Sequence, residues 1–133
     1  EIDAFKDYQH YISDGNSLEN IRKRNLLLKP VTQMALSQAV RIAMDYGYKY
    51  SDLIPKINKI NWDPGFYAWS NILVTTSTNK KMITGSQALK DAGSLIAYML
   101  VGEKYDKGEQ ERLLKVIREA NDNEEAELPP VVE

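Results

Sequence analysis

Apolar residues recur at helical spacing along most of the chain. Ile2, Phe5, Tyr8 and Ile12 fall three or four apart and predict a first helix over residues 2–13. Asp14-Gly15-Asn16-Ser17 reads as a turn, with Asn16 or Ser17 placed to cap a short second helix from Leu18 to Arg24. Pro30 suits a first helical turn, where a missing N–H costs little. Val31, Met34, Ala35, Ile42, Ala43 and Tyr46 then mark a long amphipathic helix closing at Gly47. Ser51 is expected to cap a further helix bearing Leu53, Ile54, Ile57 and Ile60, with Pro55 near its first turn. Thr84 and Gln87 have capping-box spacing ahead of a helix whose buried stripe is Leu89, Ala92, Ile96 and Met99 and whose end is Gly102. Gly93 inside that helix costs about 1 kcal/mol relative to Ala, which points to a close-approaching neighbour. A last helix over Gly108 to Ala120 turns Leu113, Leu114, Val116 and Ile117 inward.

Ile72 to Thr76 is the one stretch that reads as β, and it is expected to pair with Met82-Ile83 across the Thr78-Asn79-Lys80 turn. Asp63-Pro64-Gly65 is a second turn. The pattern therefore predicts a mainly α fold: a compact bundle of five or six helices with a small β-hairpin-like insert near residues 72–83. Residues 1–121 form a single helical domain in this reading, expected to be a fragment of a longer protein because the chain opens at Glu1 without Met or a signal-peptide layout. Residues 122–133 form an acidic, Pro-containing tail. Pro129 and Pro130 stop any helix there, so the tail is expected to be a solvated linker or frayed terminus, with a DNA-mimicking tail as the alternative.

At 133 residues the chain is long enough for one core without a disulfide or metal staple. It has no Cys, which excludes disulfides, thiol nucleophiles and Cys-ligated zinc, and which fits a reducing compartment. His10 is the only histidine, and a lone helical His is more often a packing residue than a catalyst. Asp3 and Asp7 are an i,i+4 pair on a helix that is mostly surface, and Lys80-Lys81 lacks the glycines of a phosphate loop. No nucleophile–base pair or metal set is visible, so the chain reads as no enzyme, with no cofactor and no metal. No apolar run approaches the roughly 20 residues of a membrane span, so no membrane partner is expected.

Charge changes the picture more. The net charge of −2 conceals segments of opposite sign. Residues 20–59 carry eight Lys or Arg against Asp45 and Asp52, whereas residues 122–133 carry five acids and no base. A basic run is either a solvated helix face or a surface for a polyanion. Arg22, Lys23, Arg24 and Lys29, joined by Lys80 and Lys81, are the candidate nucleic-acid-binding residues, as phosphate contacts. The same stretch fits either a helix-turn-helix or a plain helical hairpin: Ala43, Gly47 and Leu53 have suitable spacing, but Pro55 falls within the would-be recognition helix, leaving Asn58 and Lys59 as its base-reading groups. Ile60 to Trp69 holds both tryptophans with Phe66 and Tyr67 between them, either an aromatic clasp or a stacking platform for bases. Tyr46, Tyr48 and Tyr50 offer a protein-interaction surface instead.

The order of several segments is similar to a known family. Asn25-Leu26-Leu27-Leu28-Lys29-Pro30-Val31 precedes a long helix, Lys59-Ile60-Asn61-Trp62 leads to Trp69, and Asn79-Lys80-Lys81-Met82-Ile83-Thr84-Gly85 leads to a helix ending Leu95-Ile96-Ala97-Tyr98-Met99-Leu100-Val101-Gly102. Over residues 20–105 this resembles the C-terminal region of the DGQHR-domain family, which includes DNA sulfur modification protein B of bacterial phosphorothioation clusters. The family's Asp-Gly-Gln-His-Arg motif is absent from this sequence. The resemblance implies a cytoplasmic bacterial defence setting and a helical module contributing to DNA binding or transcription regulation. Its implied partners are DNA and either a homo-oligomer or partner proteins of a modification complex.

Overall fold

The computed structural model describes residues 2–13, 25–77 and 79–133, and these are mainly helical. In chain order the α-helices are α1 (Asp3–Ser13), α2 (Pro30–Asp45), α3 (Tyr50–Lys59), α4 (Ser86–Val101) and α5 (Lys107–Asn121). The turn and helix predicted over residues 14–24 lie outside the described residues.

The most extensive helix contact is between α2 and α4. Helix α2 faces inward with Thr32, Ala35, Leu36, Ala39 and Ala43. Helix α4 buries Ala92, Gly93, Leu95, Ile96, Ala97, Met99, Leu100 and Val101. The side chains that meet are small, so the backbones come close. A Cβ added at Gly93 would lie 3.0 Å from Gln38 Oε1 and 3.4 Å from the Ala35 carbonyl. The inward stripe of α2 differs from the expected one. Met34 is 55% exposed, while Ala39, absent from the expected stripe, is fully buried. Close approach selects small residues, and a pattern weighted toward large apolar ones turns the helix to the wrong face.

Two caps also differ from expectation. Helix α3 begins after Lys49, not at a Ser51 cap; no side chain caps it, and Ser51 lies within its first turn. Pro55 is inside α3 without breaking it. Ser51 and Pro55 are both exposed, so the carbonyl denied its donor meets water. Thr84 and Gln87 form no capping box. The residue before α4 is Gly85 at φ +115°, a conformation open to glycine, and Gln87 Nε2 donates to Asp91 Oδ1 at 2.9 Å instead. Helix α5 is capped as acids favour, with the Asp106 carboxylate accepting from the Glu109 N–H at 2.8 Å.

The β insert reduces to isolated bridges, with no strand among the described residues. Val74 pairs antiparallel with Met82, flanked by Thr75 N–H to Lys81 O (2.9 Å) and Ile83 N–H to Leu73 O (2.8 Å). Ile72, Leu73 and Val74 are buried, but their N–H groups all turn to the Trp69 carbonyl, which makes a tight plug of the run.

Residues 122–133 do not lead away from the body as a solvated exit. They fold back over the end of α4. The last four carbonyls of a helix have no partner within it, and buried ones need one from elsewhere. Val132 N–H donates to the Met99 carbonyl at 2.8 Å, and Lys56 Nζ to the Leu100 carbonyl at 3.0 Å. Gly102 continues into a 3-10 turn at φ −57°, so its lack of a side chain serves space and not backbone freedom. A Cβ there would lie 2.5 Å from Val131 Cγ2.

Two stability changes follow from this packing. Thr32 is fully buried and its Oγ1 has no hydrogen-bond partner. Thr32→Val should stabilise the chain by about 1 kcal/mol in urea unfolding, since it removes an unsatisfied hydroxyl. Gly93→Val should cost about 2–3 kcal/mol in the same assay, because overpacking outweighs any gain in helix propensity.

Candidate nucleic-acid interface

The candidate cations divide by location. Arg22, Lys23 and Arg24 lie outside the described residues. Lys29 is half-buried and precedes α2, its N–H bonded to the Leu26 carbonyl at 2.9 Å. Before it, Leu26, Leu27 and Leu28 form a buried 3-10 turn, capped by the Asn25 side chain accepting from Leu27 N–H at 2.9 Å. Lys80 and Lys81 are exposed together on the loop closed by the Val74–Met82 bridge. That loop is set by Lys81 N–H donating to Thr75 Oγ1 (3.1 Å) and by Ser77 Oγ donating to the Asn79 carbonyl (2.9 Å). The structure thus brings Lys80 and Lys81 together and places Lys29 on a separate element.

Other bases of the 20–59 stretch have different duties. Arg41 and Lys49 are exposed. Lys56, besides closing α4, has its ammonium 5.2 Å from the centre of the Tyr48 ring. Lys59 Nζ donates to the backbone carbonyl of Glu133. Two bases that the sequence counts toward a cationic surface therefore also hold the fold.

Tyr48 Oη donates to the Glu103 carboxylate beside Lys56. That bond raises the Tyr48 pKa and is the first cause lowering that of Glu103, with Lys56 and Lys104 adding to the effect. The signs define a window. A lowered carboxylate pKa gives stability that is present above its unfolded value and lost as pH falls through the folded one. A raised phenol pKa gives stability that is present below tyrosine's ordinary value of 10.0 and lost as pH rises through the folded one. The pair should support the fold at neutral pH and fail at both extremes. In Tyr48→Phe the loss at high pH should be absent from a melting profile, and the loss at low pH should be smaller, since Lys56 and Lys104 still act on Glu103.

The aromatic segment is a clasp. Trp62 is 7% exposed and Trp69 is fully buried. Their rings stack at 5.5 Å with 3° between planes, and Phe66 meets Trp69 edge-on. Both indole N–H groups are used, Trp62 on the Ile57 carbonyl at 3.1 Å and Trp69 on the Asn61 carbonyl at 2.8 Å. Leu26 N–H donates to the Trp62 carbonyl at 2.9 Å, so the clasp pins the start of α2. A platform for bases needs open ring faces, and these are covered.

Helices α2 and α3 form a helical hairpin, with Ala43 and Leu53 buried and Gly47 at φ +95°. The two polar groups a recognition helix would use are engaged within the fold: Asn58 Oδ1 accepts from Asp3 N–H at 2.8 Å, and Lys59 is held by Glu133. Asp3, Asp7 and His10 are exposed. Asp3 and Asp7 border a cleft of about 360 Å³ with Asn25, Asn58, Asn61 and Asp63. Among the described residues no three His, Cys, Asp or Glu side chains are grouped to hold a metal, and no helix is long and apolar enough to cross a membrane.

Sequence reasoning placed Tyr46 and Tyr50 on a partner surface but missed the exposure of two methionines. Met34 and Met44 are 55% and 51% exposed on α2, and Tyr46 and Tyr50 follow at 38% and 47%. The spacing of the two methionines from the Ala35–Ala39–Ala43 row would have shown it. Comparison with family models, curated proteins and solved structures finds no match to this chain.

The clasp makes an optical prediction. Trp emission should be blue-shifted and weakly quenched by iodide, and adding single-stranded oligonucleotide should leave it unchanged. Trp69→Ala should cost about 3–5 kcal/mol in stability, the range for deleting a buried large aromatic.

Proposed function

We propose that this chain is a non-enzymatic helical module that contributes to DNA binding through phosphate contacts. The carrying observation is the excess of six positive charges over residues 20–59, on a chain whose net charge is −2. Exposed Lys80 and Lys81 extend the same chemistry to a second loop. The similarity to the C-terminal region of the DGQHR-domain family supports a cytoplasmic bacterial DNA sulfur modification or defence setting, with a role in DNA binding or transcription regulation. In this reading Arg22, Lys23, Arg24, Lys29, Lys80 and Lys81 neutralise phosphates, while Trp62 and Trp69 hold the body together.

A protein-interaction or oligomerisation domain is the second reading. It is favoured by the exposed Met34, Met44, Tyr46 and Tyr50, because flexible Met and amphipathic Tyr suit a partner surface.

Duplex DNA titrated at rising salt separates the two. The first reading expects affinity to fall linearly in log–log form, with a slope reduced by about 0.9 for each phosphate contact removed. Arg22→Ala, Lys23→Ala and Arg24→Ala combined should weaken binding of every sequence alike, and Lys80→Ala with Lys81→Ala should do so independently. Binding indifferent to salt and to both sets of changes ends the electrostatic account. Concentration-dependent dimerisation in sedimentation, with no shift of DNA, selects the second reading.

A further inference from the structure

We propose that the acidic segment Ala126–Glu133 is a reversible strap that regulates phosphate binding, holding Lys59 and Arg118 while docked and freeing them when released. This rests on the DNA-binding reading above and adds its control.

The strap is held at a few points. Arg118 Nε donates to the Ala126 carbonyl at 2.9 Å, and Tyr67 Oη to the Glu127 carbonyl at 2.9 Å. Val132 N–H donates to the Met99 carbonyl at 2.8 Å, and Lys59 Nζ to the Glu133 carbonyl. Of the contacts to the body among the described residues, only that of Val132 is between two backbones, and no helix or strand reinforces it. Its apolar footing is partial: Ala126 and Pro129 are buried, and Leu128, Val131 and Val132 are half-buried. A segment tied to the body by a single backbone hydrogen bond opens locally at a lower cost than the helical core. An open cleft of about 510 Å³ lies between strap and body, bordered by Lys56, Tyr98 and Glu103 on one side and Val131 to Glu133 on the other. Water therefore reaches the underside of the docked strap.

The charges give release a consequence. The strap and its approach carry Asp122, Glu124, Glu125, Glu127 and Glu133 without a base. The body beside the strap presents Lys56, Lys59 and Arg118, with Glu103 as the acid among them. Docked, the backbone carbonyls take the donors of Lys59 and Arg118, and the carboxylates set a negative field against an incoming phosphate. Released, both cations are available and the carboxylates move away from them. Asp122 at φ +48°, followed by exposed Asn123, Glu124 and Glu125, supplies the joint. Pro129 and Pro130 keep the arm extended, which lowers the entropy lost on redocking.

The test uses the full chain. Val132→Pro deletes the N–H given to Met99, and Val132→Ala keeps it. Release is read as cleavage after Glu127 by a glutamate-specific protease, since a bond whose carbonyl is held by Tyr67 must open before it is cut. Function is read as affinity for duplex DNA at low salt. Val132→Pro should speed cleavage after Glu127 and tighten DNA binding at least about threefold, as expected for freeing phosphate-binding cations, with Val132→Ala close to the parent. Because Val132→Pro also loosens the end of α4, a second variant, Glu124→Gln, Glu125→Gln and Glu127→Gln, alters exposed side chains only. It too should tighten binding. Unchanged cleavage in a folded Val132→Pro overturns reversible release. Faster cleavage with unchanged affinity, or unchanged affinity in the Gln variant, overturns regulation while leaving DNA binding intact. Absence of duplex binding in every variant overturns the DNA-binding reading itself, and the control proposed here with it.

Discussion

The close contact of α2 with α4 is the constraint on which the rest of the architecture depends. It is made from alanines and a glycine, so it gains less from side-chain area than from the nearness of two backbones. Ala35, Ala39 and Ala43 are fully buried, as are Ala92 and Ala97 across from them. Nearness fixes which face of each helix is inside. It also leaves large side chains of α2, Met34 and Met44 among them, on the outer side. The bulk that α2 lacks is supplied from elsewhere. Leu26 to Leu28 fill in before the helix, and the Trp62–Trp69 stack closes the other flank.

The second organising demand comes from the end of α4. That helix terminates among buried residues, Leu100, Val101 and Gly102, and its last carbonyls take partners from distant parts of the chain. One carbonyl is served by a lysine from α3 and one by the backbone of the C-terminal segment. Both donors are distant in sequence. The same event therefore ties α3, α4 and the C-terminal residues together, and it removes Lys56 from the set of unconstrained surface cations.

Helix existence was legible in the sequence, because spacing of apolar residues reports amphipathic faces directly. Pro30, Gly47, Gly93 and the turn at Asp63 to Gly65 also read correctly, each having a local steric meaning. What failed was local chemistry overruled from a distance. Thr84 has the right neighbours for a capping box, yet Gly85 takes a backbone conformation that starts the helix later. Ile72 to Val74 has β-branched composition, yet a single carbonyl, that of Trp69, gathers its N–H groups into a turn. Residues 122–133 are acidic and proline-containing, which resembles a solvated tail; the orphan carbonyls that recruit them lie far upstream and have no signature nearby. For the candidate interface, the sequence identifies cations but not their duties. Lys56, Lys59, Lys80 and Lys81 look alike as letters, and only the packing separates those that close the fold from those left on a loop.

The capping of α4 also bears on how the chain is made. The amide that completes its end belongs to Val132, beyond the whole of α5. A nascent polypeptide that has just extruded α4 can bring α2 and α4 together, but the Met99 carbonyl stays without its partner until Val132 is delivered. A polypeptide interrupted between α4 and Val132 therefore lacks that partner, and the helix end it leaves must be served by water instead.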